Sequence, residues 1–393
     1  MRTVLRFTAG LLLTCAPVAI GCGGGTPGAT TPACAVASGN ICTVAGTGIA
    51  GDGEDLQPPL ATRLYLPQDM TVGPDGRLYV VDWNNHRIRV IRADGNMEIV
   101  AGIGELGPNV DDPTSGRLNH PTNVTFDQNG LMVIAAWHNS RVKTVDLTLP
   151  PDSDIVDICG NGKRGFSGNG GPASVATLDL PVAVVFDANQ DLLIADQANQ
   201  MIRKVDHVTG IIDTIAGTGH CADSVNPAPC VLNDEGPALQ AGFHFPIGQA
   251  ATPGGRIALD ALGNIYVADT EDFRVRQIDT NGIVHTYAGT GDDGFAGDGG
   301  PATAAQLSRL SDVAVEVDGT VLVADTENNC VRAISPYGII STFAGLCGQN
   351  GFTGDGGPAT AALLDRPYGI EVAPSGDVYI ADTHNQRVRI VYR

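Results

Sequence analysis

One thirteen-residue module recurs six times along this chain, as LYVVDWNNHRIRV (78–90), MVIAAWHNSRVKT (132–144), LLIADQANQMIRK (192–204), IYVADTEDFRVRQ (265–277), VLVADTENNCVRA (321–333) and VYIADTHNQRVRI (378–390). A single copy is too small to bury its own apolar face, so the copies must stack or ring against one another. The equivalent positions Asp82, Ala136, Asp196, Asp269, Asp325 and Asp382 are 54, 60, 73, 56 and 57 residues apart, room for four strands and their turns in each unit. Most copies follow a second apolar stretch and a turn, as in LPQDMTVGPDG (66–76), and precede a third, as in IIDTIAGTG (211–219). Short runs rich in β-branched residues and broken by Gly, Asp and Asn read as strand meanders. Four-stranded units repeated radially make an all-β, six-bladed β-propeller of antiparallel blades. ICTVAGTG (41–48) matches STFAGLCG (341–348) as an outer strand, and blade six has none of its own after Val391. The N-terminal strand is therefore expected to complete the last blade, removing two open sheet edges.

Three segments are expected: a leader at 1–21, a Gly/Pro/Thr/Ala-rich tether at 22–40 and the propeller at 41–393. Arg2 and Arg6 ahead of the apolar run from Phe7 to Leu13 form an export signal too short to span a bilayer. Ala19-Ile20-Gly21-Cys22 resembles the lipobox of bacterial lipoproteins, which implies lipidation of Cys22. The absence of Asp after it favours the outer membrane; simple secretion is the alternative. Export permits disulfides, and the pairings expected are Cys221–Cys230 across a Pro-containing loop, then Cys330–Cys347 and Cys34–Cys42, with an odd thiol left over. Forty-three acidic against 23 basic residues give a net charge of −20. That argues against a nucleic-acid partner and for cationic ones.

The pattern A-D-x-x-N-x-R-V/I, with linkers such as GFAGDGGPATAAQL (294–307), resembles the NHL-repeat family over about residues 41–393. The resemblance implies six blades. It leaves function open, because NHL propellers serve as extracellular sensors, as protein- or RNA-binding platforms and, in one branch, as a metal-dependent lyase.

Residues repeated in every blade are read as supports. The Asn three positions after the module Asp closes a turn, and the basic pairs at 87/89, 141/143, 274/276 and 387/389 share one strand face, where they brace a neighbouring Asp. GTGIAG (46–51) and GTGDDG (289–294) fit a dinucleotide fingerprint but lack its βαβ setting. The Gly-Asp/Asn-Gly loops offer at most one carboxylate each, short of a calcium shell.

Function is expected where the repeats differ. Thirteen residues before each module Asp stand Asp69, Asn123, Ala183, Arg256, Asp312 and Gly369, a ring expected at one mouth of the central channel with Gln68 and Tyr368 beside it. It reads either as a hydrated channel or as a small-ligand or metal pocket. No cofactor is assigned, and an ion at this ring is left open. His86, His138 and His384 fall in the turns, and His120 and His244 precede inner strands; whether any meet is not set by the sequence. Two insertions, 219–241 and 247–255, mark blade four as a recognition loop. Three functions follow: a lipid-anchored envelope module binding a protein, peptide or glycan through its loop face, an exported metal-dependent lyase or lactonase acting in the channel, or a passive envelope scaffold.

Overall fold

The computed structural model describes residues 34–105, 117–149, 155–219, 231–248 and 250–393. Six antiparallel sheets follow in chain order, each with four principal strands. Their innermost strands are Asp69–Val72, Pro121–Phe126, Pro181–Phe186, Ile257–Leu259, Asp312–Val315 and Pro367–Val372. Among the described residues there is no α-helix; short 3-10 turns carry the linkers and the turns after each second strand. The ring closes as expected: Ile41–Ala45 pairs antiparallel with Arg387–Val391, Ile41 opposite Val391. Residues 34–40, assigned from sequence to the tether, are instead tied to blade six. Cys34 is disulfide-bonded to Cys42, Gly39 donates its N–H to the Tyr392 carbonyl at 2.8 Å, and Asn40 Nδ2 donates to Gly356 O at 3.1 Å.

Alternation along each strand sends one face towards each neighbouring blade. The core accordingly divides into six clusters, one per seam; Val182, Leu193, Ile257 and Val267, for example, pack between blades three and four.

Polar repeats then fix each blade to its linker. Asp82 accepts the backbone N–H of Tyr65 at 2.8 Å, and Asp196, Asp269, Asp325 and Asp382 accept those of Asp179, His244, Ser308 and Asp365. The module Asn bridges the same carboxylate and a linker carbonyl, as Asn85 does to Asp82 and Gly51, both at 2.9 Å. Arg89, Arg203, Arg276, Arg332 and Arg389 are fully buried between that Asp and the linker residue Asp52, Asn169, Asp234, Asp298 or Asp355. The loop acids that suggested calcium are thus guanidinium partners. Four of these linker side chains also bond an outer-strand threonine, as Asp298 does with Thr342 at 2.6 Å.

The GTG repeats have their own packing reason. Gly48, at φ +82°, lies beneath the Arg387 guanidinium, and a Cβ there would come within 2.1 Å of it. In blade five Cys330 stands where four of the other blades have this Arg and blade three has Met201, Cys347 stands at the glycine, and the two are joined by a disulfide.

Blade two departs from the pattern. With Ala136 in place of the Asp, Asn139 Oδ1 accepts the Asn119 N–H at 2.8 Å. Lys143, in place of the buried Arg, pairs at 2.6 Å with Asp157 on the outer strand, and Arg141 pairs with the same carboxylate at 2.8 Å.

Candidate functional site at the central channel

The six ring residues converge, and one of them fills the centre. Arg256, 1% exposed, sends Nη1 to Asp69 Oδ1 at 2.9 Å and to Asp312 Oδ2 at 3.3 Å, while Nη2 donates to the carbonyl of Gln68 at 3.0 Å and to that of Thr122. Asn123 Nδ2 donates to Asp69 Oδ2 at 2.7 Å, and its Oδ1 accepts the Val184 N–H at 2.8 Å. Asp312 Oδ1 accepts its neighbour Val313's N–H, and Oδ2 accepts that of Ile370 at 2.9 Å. Gly369 permits the closure: a Cβ there would lie 2.6 Å from Gln68 O and 2.8 Å from Asp69 Oδ1. The ring read as a channel mouth is therefore a cross-bracing plug joining all six blades. Its long arginine reaches across the axis.

Burial raises Asp69 and pushes Asp312 up to about 7 against the pull of Arg256. Burial also disfavours the Arg256 charge, but the two carboxylates outweigh it and raise the group. Two acids facing one guanidinium leave one excess negative charge or one bound proton in the ring.

Beyond the plug the channel holds a cavity of about 220 Å³ lined by all six inner strands. Glu371 projects here. Its Oε1 accepts Thr71 Oγ1 and the Val72 N–H, both at 3.0 Å, and burial raises it to about 7, with Asp69 adding to the rise. Sequence reasoning missed Glu371, although a period of two places it on the same strand face as Gly369. Tyr368 stands beside the plug rather than in it: its carbonyl accepts Ser311 Oγ at 2.7 Å, and burial raises its phenol.

Three histidines named from the sequence, His86, His120 and His138, meet at the seam of blades one and two. His244 lies 3.4 Å from Asp272 instead, and His384 is exposed. Among the described residues no group of three or more His, Cys, Asp or Glu side chains is arranged to hold an ion. Cys22, Cys221 and Cys230 lie outside the described residues, as do residues 220–230 of the blade-four insertion 219–241. Cys34–Cys42 and Cys330–Cys347 are bridged, and Cys159 is a buried thiol raised by burial to about 12.

The architecture has known relatives. The family model described as the teneurin NHL domain matches residues 41–239, and the NHL repeat model matches 307–334 and 364–391. The chain belongs to the teneurin NHL domain family. Chicken (Gallus gallus) teneurin-1 is 29% identical to this teneurin-type propeller over 359 residues, and mouse (Mus musculus) teneurin-4 is 30% identical over 358. These alignments cover 85% and 84% of the chain but only 13% and 12% of those proteins, so the teneurin-type propeller spans about an eighth of the curated relatives it matches. A solved structure from Bacteroides thetaiotaomicron, described as an auxiliary nutrient binding protein, superposes with a TM-score of 0.62 at 14% identity, covering 89% of this chain and 75% of that one; it shares the fold.

Proposed function

We propose that this propeller is a binding module of the bacterial cell envelope, anchored by a lipid on Cys22 and engaging a protein, peptide or glycan through the loop face that carries the blade linkers. The observation that carries this reading is the Arg256 plug. All four carboxylate oxygens of Asp69 and Asp312 are already engaged by the guanidinium, by Asn123 or by backbone N–H groups. Recognition then falls to the linkers and turns, which vary between blades on a rigid frame. The two disulfides among the described residues support an oxidising compartment, and the net charge of −20 favours cationic partners. The nutrient-binding description of one fold relative supports a binding role over an enzymatic one.

Two measurements test the proposal. Cells fed a labelled fatty acid should label the protein and hold it in the membrane fraction, and Cys22→Ser should abolish both. The purified, processed protein should bind members of an envelope glycan and peptide array while carrying no stoichiometric metal by elemental mass spectrometry. One equivalent of a tightly held ion together with turnover of a lactone would replace the binding reading with the enzymatic one.

A further inference from the structure

The turn after each second strand ends on a residue in the left-handed region: His86, Ser140, Gln200, Phe273, Asn329 and Gln386, all with φ between +50° and +59°. This residue faces the linker entering the next blade. At three seams its side chain accepts the N–H of a left-handed linker residue: Gln386 Oε1 from Leu66 at 2.6 Å, Asn329 Oδ1 from Arg366 at 3.0 Å, and His86 Nδ1 from His120 at 3.2 Å. An amide oxygen accepts at any ordinary pH, whereas an imidazole nitrogen accepts only while unprotonated. None of the five residues equivalent to His86 is a histidine.

The contacts between the histidine rings add to the constraint. His120 lies edge-on to His86 and to His138, with ring centroids 4.4 and 4.8 Å apart. The Nδ1 atoms of His120 and His138 are 3.0 Å apart, so the pair shares at most one proton there. His120 Nδ1 also lies 2.8 Å from Asn119 Oδ1, and its Nε2 is 3.1 Å from Asn84 Oδ1. Trp83 packs on His120 with centroids 4.5 Å apart, and Trp137 stacks on His138 at 4.1 Å. The charged group acting on the cluster is Arg164, bound to Asp179, whose positive charge adds to burial in lowering His138. Among the described residues no carboxylate is hydrogen-bonded to any of the three rings. Burial also lowers His86 and His120.

We propose that this seam is an acid-sensitive latch. At neutral pH, uncharged His86, His120 and His138 hold the linker of residues 117–121 against the turn of blade one. Acid protonates them, removes the acceptor for the His120 amide, sets like charges against each other and releases the linker, uncovering Trp83 and Trp137 on the loop face. The other five seams stay shut. The direction follows from linkage: the opened histidines titrate near their ordinary 6.5 and take up protons that the closed cluster refuses, so opening is favoured progressively as pH falls below that value.

The chain's two tryptophans, Trp83 and Trp137, pack on His120 and His138; Trp137 also donates its indole N–H to Gln197 of blade three, so Trp83 is the more specific fluorescence reporter of this seam. The full-length protein should show a reversible red shift and quenching between pH 6.5 and 4, before the far-ultraviolet sheet signal changes. His86→Gln combined with His120→Leu copies the side chains at Gln386 and Leu66 and should remove that transition. Emission that stays flat until the sheets unfold overturns the proposal, as does the same transition in the double variant. Hydrogen exchange of the unaltered protein at pH 7 and 4.5, corrected for chemical exchange rates, supplies a second test if the variant does not fold. Residues 83–86 and 117–121 should lose at least about ten-fold more protection than 326–329 and 364–368, and equal losses overturn the latch.

Discussion

Blade five and blade two solve one problem with different residues. In blade five Asp325 does two jobs: it neutralises the buried Arg332 and caps the N–H of Ser308. In blade two those jobs are separated. Asn139 caps Asn119, and the cation, now Lys143, turns to Asp157 on the outer strand. The difference shows that the module Asp, the buried base and the acid they answer to form one unit of substitution. An ionised Asp at 136 without a guanidinium, or a guanidinium at 143 without its Asp, would leave a charge in the dry centre of a blade.

The strongest way to break the comparison is Arg332→Met. Removing one partner of a buried pair strands Asp325 and should lower stability by about 3–5 kcal/mol, seen as a fall in the denaturation midpoint at unchanged slope. Lys143→Met leaves Asp157 paired with Arg141 and should cost only about 1 kcal/mol; equal losses would show that the two blades do not differ in this way. The next effect concerns the covalent substitute in blade five. Cys330→Ala with Cys347→Gly opens a link spanning 17 residues and should cost about 3 kcal/mol. Cys330→Arg with Cys347→Gly, which copies blade six, should recover part of that loss in thermal melts. A gain of charge sharpens the contrast: Ala136→Asp should destabilise by about 1–3 kcal/mol, and adding Lys143→Arg should restore some of it. A double-mutant cycle with no coupling between these positions would mean the module is not a unit.

Much of this architecture was legible in the sequence. Six modules at similar spacing, short β-branched runs and an orphan outer strand at 41–48 specify blade number, strand order and closure, because periodicity and edge pairing are local properties read residue by residue. The ring of Asp69, Asn123, Arg256, Asp312 and Gly369 was also found by counting back from the module Asp. What counting does not convey is reach. Six aligned letters say which side chains face the axis, but not that Arg256 is long enough to cross it and close the opening. Glu371 was missed because only one register position was followed along each inner strand. The meeting of His86, His120 and His138 joins a turn of blade one to a linker and a turn of blade two, a juxtaposition set by how blades lean on each other rather than by any repeat.

The clasp between Ile41–Ala45 and Arg387–Val391 has a consequence for the order of events when the polypeptide is made. Synthesis delivers the first of these strands earliest and its partner last, so the opening strand waits unpaired while nearly every other blade residue is added. Contacts that join such distant parts of a chain form slowly, and until they form the outer edge of Arg387–Val391 and the unpaired strand Ile41–Ala45 are both open to other chains. A cell producing this propeller must therefore shelter an incomplete circle through most of its assembly. A permuted gene that moves residues 34–45 behind residue 393 should shorten that interval without changing the finished ring.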